Sequence, residues 1–382
     1  MERTDERYGR YVAILEEELV AAMGCTEPIA VAYCAARLRQ VLGERPRRIL
    51  AEVSGNILKN VKSVVVPNTG GRRGLPAAIA VGVVAGDPEA RLQVIAHVME
   101  EDTAAIQAYL DSTDIRIDCP PTSRMLDIRL TGWAGDHKAV VHVANNHTNI
   151  IYVERDGEVL LEKPHSDSAE DNLQDKSVLN VRDILTFAET VDVSRIEESV
   201  GRQLECNTAI AREGLRGDWG ANIGSTLLLS GGDVETEARA WAAAGSDARM
   251  NGCEMPVVIC SGSGNQGITL TLPVVEYAKE LHASSEMLLR ALVLANLLSV
   301  HQKKYIGSLS AYCGATSAAC AAGAAVCWMR GGGYEEICGT ITNTLATLGG
   351  MLCDGAKSSC AAKIATAVQT ALLAAAMSAH GR

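Results

Sequence analysis

Two thiols, Cys353 and Cys360, flank the polar loop Cys353-Asp-Gly-Ala-Lys-Ser-Ser-Cys360 near the end of the chain. Behind it Ile364, Val368 and Leu372 recur at helical spacing, which predicts a long Ala-rich helix capped by Ser358 or Ser359. Cys360 then occupies the first turn, where free backbone N–H groups favour a thiolate. Gly349, Gly350 and Gly355 let the backbone bend closely around whatever Cys353 holds, and Lys357 offsets local negative charge. A second helix start, Ser308-Leu-Ser-Ala-Tyr-Cys-Gly314, carries Cys313. Three thiols so placed can hold a metal centre and leave one position open, and an open iron is a Lewis acid. Cys320 and Cys327 follow Cys313 along a Gly/Ala-rich helix face and read as packing residues.

A fourth thiol stands apart from these. Residues 5 to 24 read as an amphipathic helix with Tyr8, Tyr11, Val12, Leu15 and Leu19 on one face, stopping at Gly24. Thr26-Glu27-Pro28 opens a second helix that runs to about Leu42. Cys25 therefore sits at the positive end of a helix, a position that favours its thiolate and suits a base or nucleophile. The plainer reading is a packed turn cysteine.

Met250 to Gly267 joins an apolar strand to a loop that matches G-x-G-x-x-G at Gly262, Gly264 and Gly267. A dinucleotide site needs a helix straight after that loop, and Ile268-Thr-Leu-Thr-Leu-Pro273, β-branched and ending in proline, argues against one. The same residues resemble the carboxylate loop of the pyridoxal-dependent serine and threonine dehydratases, yet no lysine lies between Lys176 and Lys279 to form a Schiff base. What survives is an anion nest made of Ser261, Ser263, Asn265, Gln266 and the backbone N–H groups around them. Asn56, Lys59, Asn68 and Thr69 are further candidates for substrate contact, while Arg72 and Arg73 read as a solvated turn. Asn207, Asn251, Glu254 and His301 are open candidates for the substrate amine.

The elements that must position these groups follow from composition and pattern. At 382 residues and 47% hydrophobic the chain can bury a large core, and a net charge of −11 argues against nucleic acid as a partner. Only 4% of residues are aromatic, so the core is built from aliphatic and small side chains. The first residues lack a signal-peptide pattern and no run of about 18 uncharged apolar residues appears, so no membrane association is expected. Twelve cysteines then point to a reducing compartment, with the cytoplasm as the expected location. Residues 1–86 read as the N-terminal part of a helical catalytic domain and 176–382 as the rest of it. Between them, 87–175 read as a small inserted α+β domain. It has a helix around 89 to 110 and an antiparallel meander at Met125 to Leu130, Ala139 to Val143, Asn149 to Val153 and Val159 to Lys163. A charged linker, Pro164 to Asp175, ends it. His137, His142 and His147 in this domain read as solvated or locally bonded. The fold class expected is α+β, mostly helical, with an antiparallel sheet in the smaller domain.

Taken together, Gly24-Cys-Thr-Glu-Pro-Ile-Ala30, Ser54-Gly-Asn-Ile-Leu-Lys-Asn60, Cys206-Asn-Thr208, Asn251-Gly-Cys-Glu254, Ser261 to Gly267, Leu309 to Ala315 and Leu352 to Cys360 resemble the iron-sulfur L-cysteine desulfidase family. More distantly, the chain is similar to the iron-sulfur L-serine dehydratases. The resemblance implies a 4Fe-4S cluster on Cys313, Cys353 and Cys360 and a thiol base at Cys25. It also implies β-elimination of L-cysteine to sulfide, pyruvate and ammonia. L-serine dehydration, a non-catalytic iron-sulfur sensor and a structural zinc site are the alternatives. The chain ends Ser-Ala-His-Gly-Arg, without the terminal cysteine that caps the fourth iron in some dehydratases, so water or an anion is the expected ligand there. A small amino acid is the expected partner, and a homo-oligomer the expected assembly.

Overall fold

A computed structural model describes residues 1–163, 174–307 and 309–382; most of the linker expected at 164–175, and Ser308, lie outside the described residues. Helix α1 (Glu6–Glu18) is capped by the Asp5 side chain and buries Tyr8, Tyr11, Val12 and Leu15. The single phenylalanine, Phe187, packs between Tyr8 and Tyr11 at 5.3 and 5.1 Å and ties this helix to the second half of the chain. The helix does not continue to Gly24. Residues Ala21–Met23 instead form strand β1, because Pro256–Val258 lies alongside as an antiparallel partner. Helix α2 (Thr26–Leu42) follows with Cys25 itself in the capping position, and Gly43 in the left-handed region ends it.

Strand β2 (Arg48–Val53) leads to α3 (Gly55–Val61), capped by the Ser54 hydroxyl, and to α4 (Gly74–Ala85), which packs on α2. The helix expected around 89 to 110 is shorter. Arg91 adopts a left-handed conformation and starts a single 3₁₀ turn, and only α5 (Asp102–Ser112) is α-helical.

The expected meander is present as β4 (Asp127–Ala134), β5 (His137–Ala144), β6 (Ile150–Arg155) and β7 (Glu158–Glu162), preceded by β3 (Asp114–Asp118). Gly135, Asn145, Asp156 and Gly157 take the positive φ angles that the connecting turns demand. The sheet also takes in β2 from before residue 87, giving the order β3-β2-β4-β5-β6-β7, with only β2 and β3 parallel. Its inner face carries Ile128, Leu130, Val141 and Val143, and α2 packs against β4 and β5.

The helical part comprises α6 (Val181–Thr190), α7 (Glu197–Arg216), α8 (Ile223–Leu228), α9 (Val234–Met250), α10 (Gly264–Glu280), α11 (Ser285–Ile306), α12 (Gly314–Met329), α13 (Tyr334–Leu348) and α14 (Cys360–Ala379). Strand β8 (Pro256–Val258) joins α9 to α10. Helices α9, α10 and α12 form the centre, and their long alanine and glycine runs let backbones approach closely. Cys320 and Cys327 are buried in α12 as packing residues. Helix α14 is long and apolar enough to cross a membrane by length and composition, despite Lys363; half of that stretch is buried against its neighbours.

Asp247 on α9 illustrates how this packing loads one group. Its carboxylate accepts the Gly224 N–H at 3.1 Å and is otherwise shut from water, and burial pushes its pKa up to about 6. A folded-state carboxyl that is harder to ionise than its unfolded counterpart loses stability as pH rises from about 4 to about 6, because the unfolded chain releases its proton first. Asp247→Asn is therefore expected to raise the unfolding midpoint at pH 8, by about 2–3 kcal/mol in stability, and to change it little at pH 4. Thermal melts at the two pH values test this.

Candidate functional site

Strand β8 runs into a turn in which Ser261 and Gly262 both take left-handed conformations, and Ser263 then caps α10 without a side-chain bond. Helix α10 begins at Gly264, directly after the loop, and Pro273 lies inside it. The helix that was not expected after this loop is thus present, since burial on nearly every face of α10 outweighs the local β-branched pattern. The dinucleotide reading still fails on topology: β8 pairs antiparallel with β1 and belongs to no parallel crossover among the described residues.

The anion-nest residues divide their roles. Ser261 is buried, and its carbonyl accepts a hydrogen bond from Gln266 Nε2 at 3.4 Å. Asn265 Oδ1 accepts from Arg249 Nη1 at 3.0 Å. Gln266 Oε1 is buried without a donor among the described residues, and its side chain lies so close to Gly314 that a Cβ there would meet Gln266 Cδ at 2.8 Å. The nest therefore abuts the residue that follows Cys313.

The three late cysteines come together through a small piece of pairing. Tyr312 and Leu352 form an antiparallel bridge, with Cys313 N–H donating to Met351 O (3.1 Å) and Cys353 N–H to Ala311 O (2.8 Å). Alternation sends Tyr312 and Leu352, 55% and 57% exposed, to one face and the two cysteines to the other. Cys360 opens α14, with Ser359 in the capping position. Burial pushes the Cys313 and Cys360 thiols up, and each also feels the charge of Cys353, whereas Lys363 favours both thiolates. Lys363 donates to Leu352 O at 2.9 Å, and both it and Lys357 pair with Asp354, which they hold at about 2. Among the described residues no three His, Cys, Asp or Glu side chains converge on a single ion. Thiolates around an iron-sulfur cube stand farther apart than ligands of one ion, and three half-buried sulfurs on one face beside a lysine suit that larger group.

Cys25 meets this face. It packs with Val64, Met250, Ala356 and Cys360 in one small cluster and is 4% exposed. Its expected thiolate is not what the surroundings favour. Burial and the Glu27 carboxylate, which accepts from Cys25 Sγ at 3.1 Å, raise the thiol pKa well above its ordinary value; Arg249 only partly offsets them. A helix end contributes about 0.3–1 kcal/mol, too little against the loss of solvation. Burial also acts to raise Glu27, but the His147 charge, the thiol and Arg249 outweigh it and hold Glu27 ionised. Asn60 Nδ2 donates to Glu27 Oε1 at 2.8 Å, and the Thr26 hydroxyl donates to Gly262 O at 2.9 Å, fastening α2 to the nest.

Other sequence candidates lie at varying remove. Lys59 Nζ reaches Cys353 O at 3.5 Å. Asn56 contacts Met125 Sδ at 3.2 Å. Asn68 donates to Ile95 O (2.7 Å), tying its turn to the segment after the 3₁₀ turn, and Thr69 donates to Val66 O (2.7 Å) within the turn. Asn207 is bonded to both backbone groups of Val258, and Asn251 links Asp247 O to the Ser358 hydroxyl, so both are structural ties. Glu254 is exposed, and His301, stacked edge-on against Tyr305, is pushed down to about 4 by burial. His137 and His142 pair with Asp156 and Asp127, the local bonding expected. His147 departs from that expectation: it is buried, its ring sits over Gly262, and its charge reaches Glu27. It also lines a cavity of about 750 Å³ that reaches Ser261 and Gly262.

Arg249 joins the site without having been among the residues expected there. It is 2% exposed, and its Nε and Nη2 have no hydrogen-bond partner among the described residues. A basic residue in the last turn of a helix gave no signal beyond the usual charge–dipole pairing.

Residues 89–382 match the family model described as serine dehydratase alpha chain. A UPF0597 protein of Desulfitobacterium hafniense is 49% identical over 374 residues, covering 98% of this chain and 87% of its own length. Those of Lachnoclostridium phytofermentans and Treponema denticola are 48% and 46% identical over 376 and 373 residues. They cover 98% and 96% of this chain, and 90% and 86% of their own lengths. With the match spanning most of the chain, the protein belongs to the serine dehydratase alpha chain family.

Proposed function

We propose that this chain is a lyase that eliminates the β-substituent of a small α-amino acid, with L-cysteine as substrate and sulfide, pyruvate and ammonia as products. The observation that carries this reading is the convergence of Cys25, Cys360 and the uncapped start of α10 on the face that holds Cys313 and Cys353. Cys313, Cys353 and Cys360 are the residues that would hold a 4Fe-4S cluster. When bound, its open iron would supply Lewis acidity to the departing β-group.

The chain's own groups account for the rest. The Ser261 to Gly267 loop receives the substrate carboxylate. Cys25 takes the α proton while its own proton passes to Glu27, already hydrogen-bonded to it. The electron pair left on Cα then forms the Cα–Cβ double bond as sulfide departs, and the aminoacrylate tautomerises and hydrolyses without further help. The motifs that resemble the L-cysteine desulfidases support cysteine over serine.

The test is pyruvate release from L-cysteine and from L-serine by protein purified without oxygen. A kcat/KM at least about ten-fold higher for L-cysteine is expected. A preference for L-serine would make the chain a dehydratase, and turnover of neither by iron-loaded protein would leave the sensor reading.

A further inference from the structure

We propose that Arg249 recognises the substrate α-carboxylate and so restricts the site to amino acids that carry one free. The assignment rests on the reading of the Ser261 to Gly267 loop as the substrate site. A guanidinium cannot lose its charge, and one shielded from water normally faces a carboxylate. Arg249 is 2% exposed, yet among the described residues no ion pair holds it and the Glu27 charge acts on it only at longer range; its one bond there runs from Nη1 to the neutral Asn265 side chain at 3.0 Å. The two nitrogens left over, Nε and Nη2, are adjacent on one edge of the guanidinium. That edge is the fork that receives both oxygens of a carboxylate.

Its position suits the same ligand. A Cβ at Gly264 would lie 2.4 Å from Arg249 Nε, so the guanidinium rests against the first residue of α10, where no side chain caps the free N–H groups. A carboxylate held there is met by the fork and by the helix start together. Gln266 Oε1, in the first turn of α10 and without a donor among the described residues, is what a substrate ammonium needs. The Arg249 fork and Gln266 Oε1, both at the start of α10, supply the donor pair and the acceptor that an α-amino acid needs.

The experiment compares binding of L-cysteine and of cysteamine, which lacks the carboxylate, by calorimetry. It uses full-length protein in a Cys25→Ser background, alone and combined with Arg249→Gln or Arg249→Lys. The background protein is expected to prefer L-cysteine. Arg249→Gln should weaken L-cysteine binding by about 100-fold and leave cysteamine and iron content unchanged. Arg249→Lys, which keeps charge and bulk but not the fork, should lose about ten-fold and shows the effect if the glutamine variant does not fold. L-cysteine binding that survives both substitutions overturns the assignment. So does an equal loss of cysteamine, or a background protein that does not prefer L-cysteine. If carboxylate selectivity depends on Arg249 while the unsubstituted enzyme turns over neither amino acid, the assignment stands and the β-elimination reading falls.

Discussion

Cys25→Ser should lose about 10²–10⁴-fold in kcat for pyruvate formation and keep its iron. The substitution is nearly isosteric, and the apolar nest of Val64, Met250 and Ala356 stays filled. What changes is the acid. A serine hydroxyl holds its proton far more tightly than a thiol, so passing it to Glu27 as the α proton arrives becomes much less favourable. KM should move little, since the carboxylate site lies on α10 and not on α2. Undiminished turnover in this variant would take Cys25 out of the scheme and leave Glu27 as the base, with its ordinary hydrogen bond to Asn60.

Cys353→Ala should lose cluster and activity together. Cys353 lies on the loop between α13 and α14 and owes its position to one strand-like bridge and to the Lys59 contact at its carbonyl. Its backbone bonds do not need the side chain, so the fold should survive. With two thiolates left instead of three, iron content is expected to fall at least about ten-fold. Cys320→Ala is the matched control, because that thiol lies on α12 too far inside the core to reach the cluster face.

The chain's chemistry was legible where a local rule decided the structure. Cys313 and Cys360 stand at helix starts because glycine or serine there is followed by small, helix-compatible residues, and those are visible in the sequence. The meander was equally plain, since alternation and Asn or Gly turn residues leave little choice of register. Failures came where distant contacts decide. Residues 21–23 pair as a strand only because β8 happens to lie beside them. Helix α10 runs through Pro273 because it is enclosed. The Cys25 thiol is pushed up because Val64, Met250 and Ala356, brought from far along the chain, bury it, and the Glu27 carboxylate adds to the effect. Arg249 and His147 gave no pattern at all. One looked like a solvated helix end and the other like a turn histidine, and only the packing of α9 against α10, and of the β5–β6 turn over Gly262, brings them to the site.

Iron and acid-labile sulfide, assayed side by side in the unsubstituted protein and in Cys353→Ala after purification without oxygen, test the central claim most directly. About four of each per chain, with a broad brown absorbance that vanishes in the variant, is the result this account predicts. A colourless protein, or one whose iron is indifferent to Cys353, would contradict it.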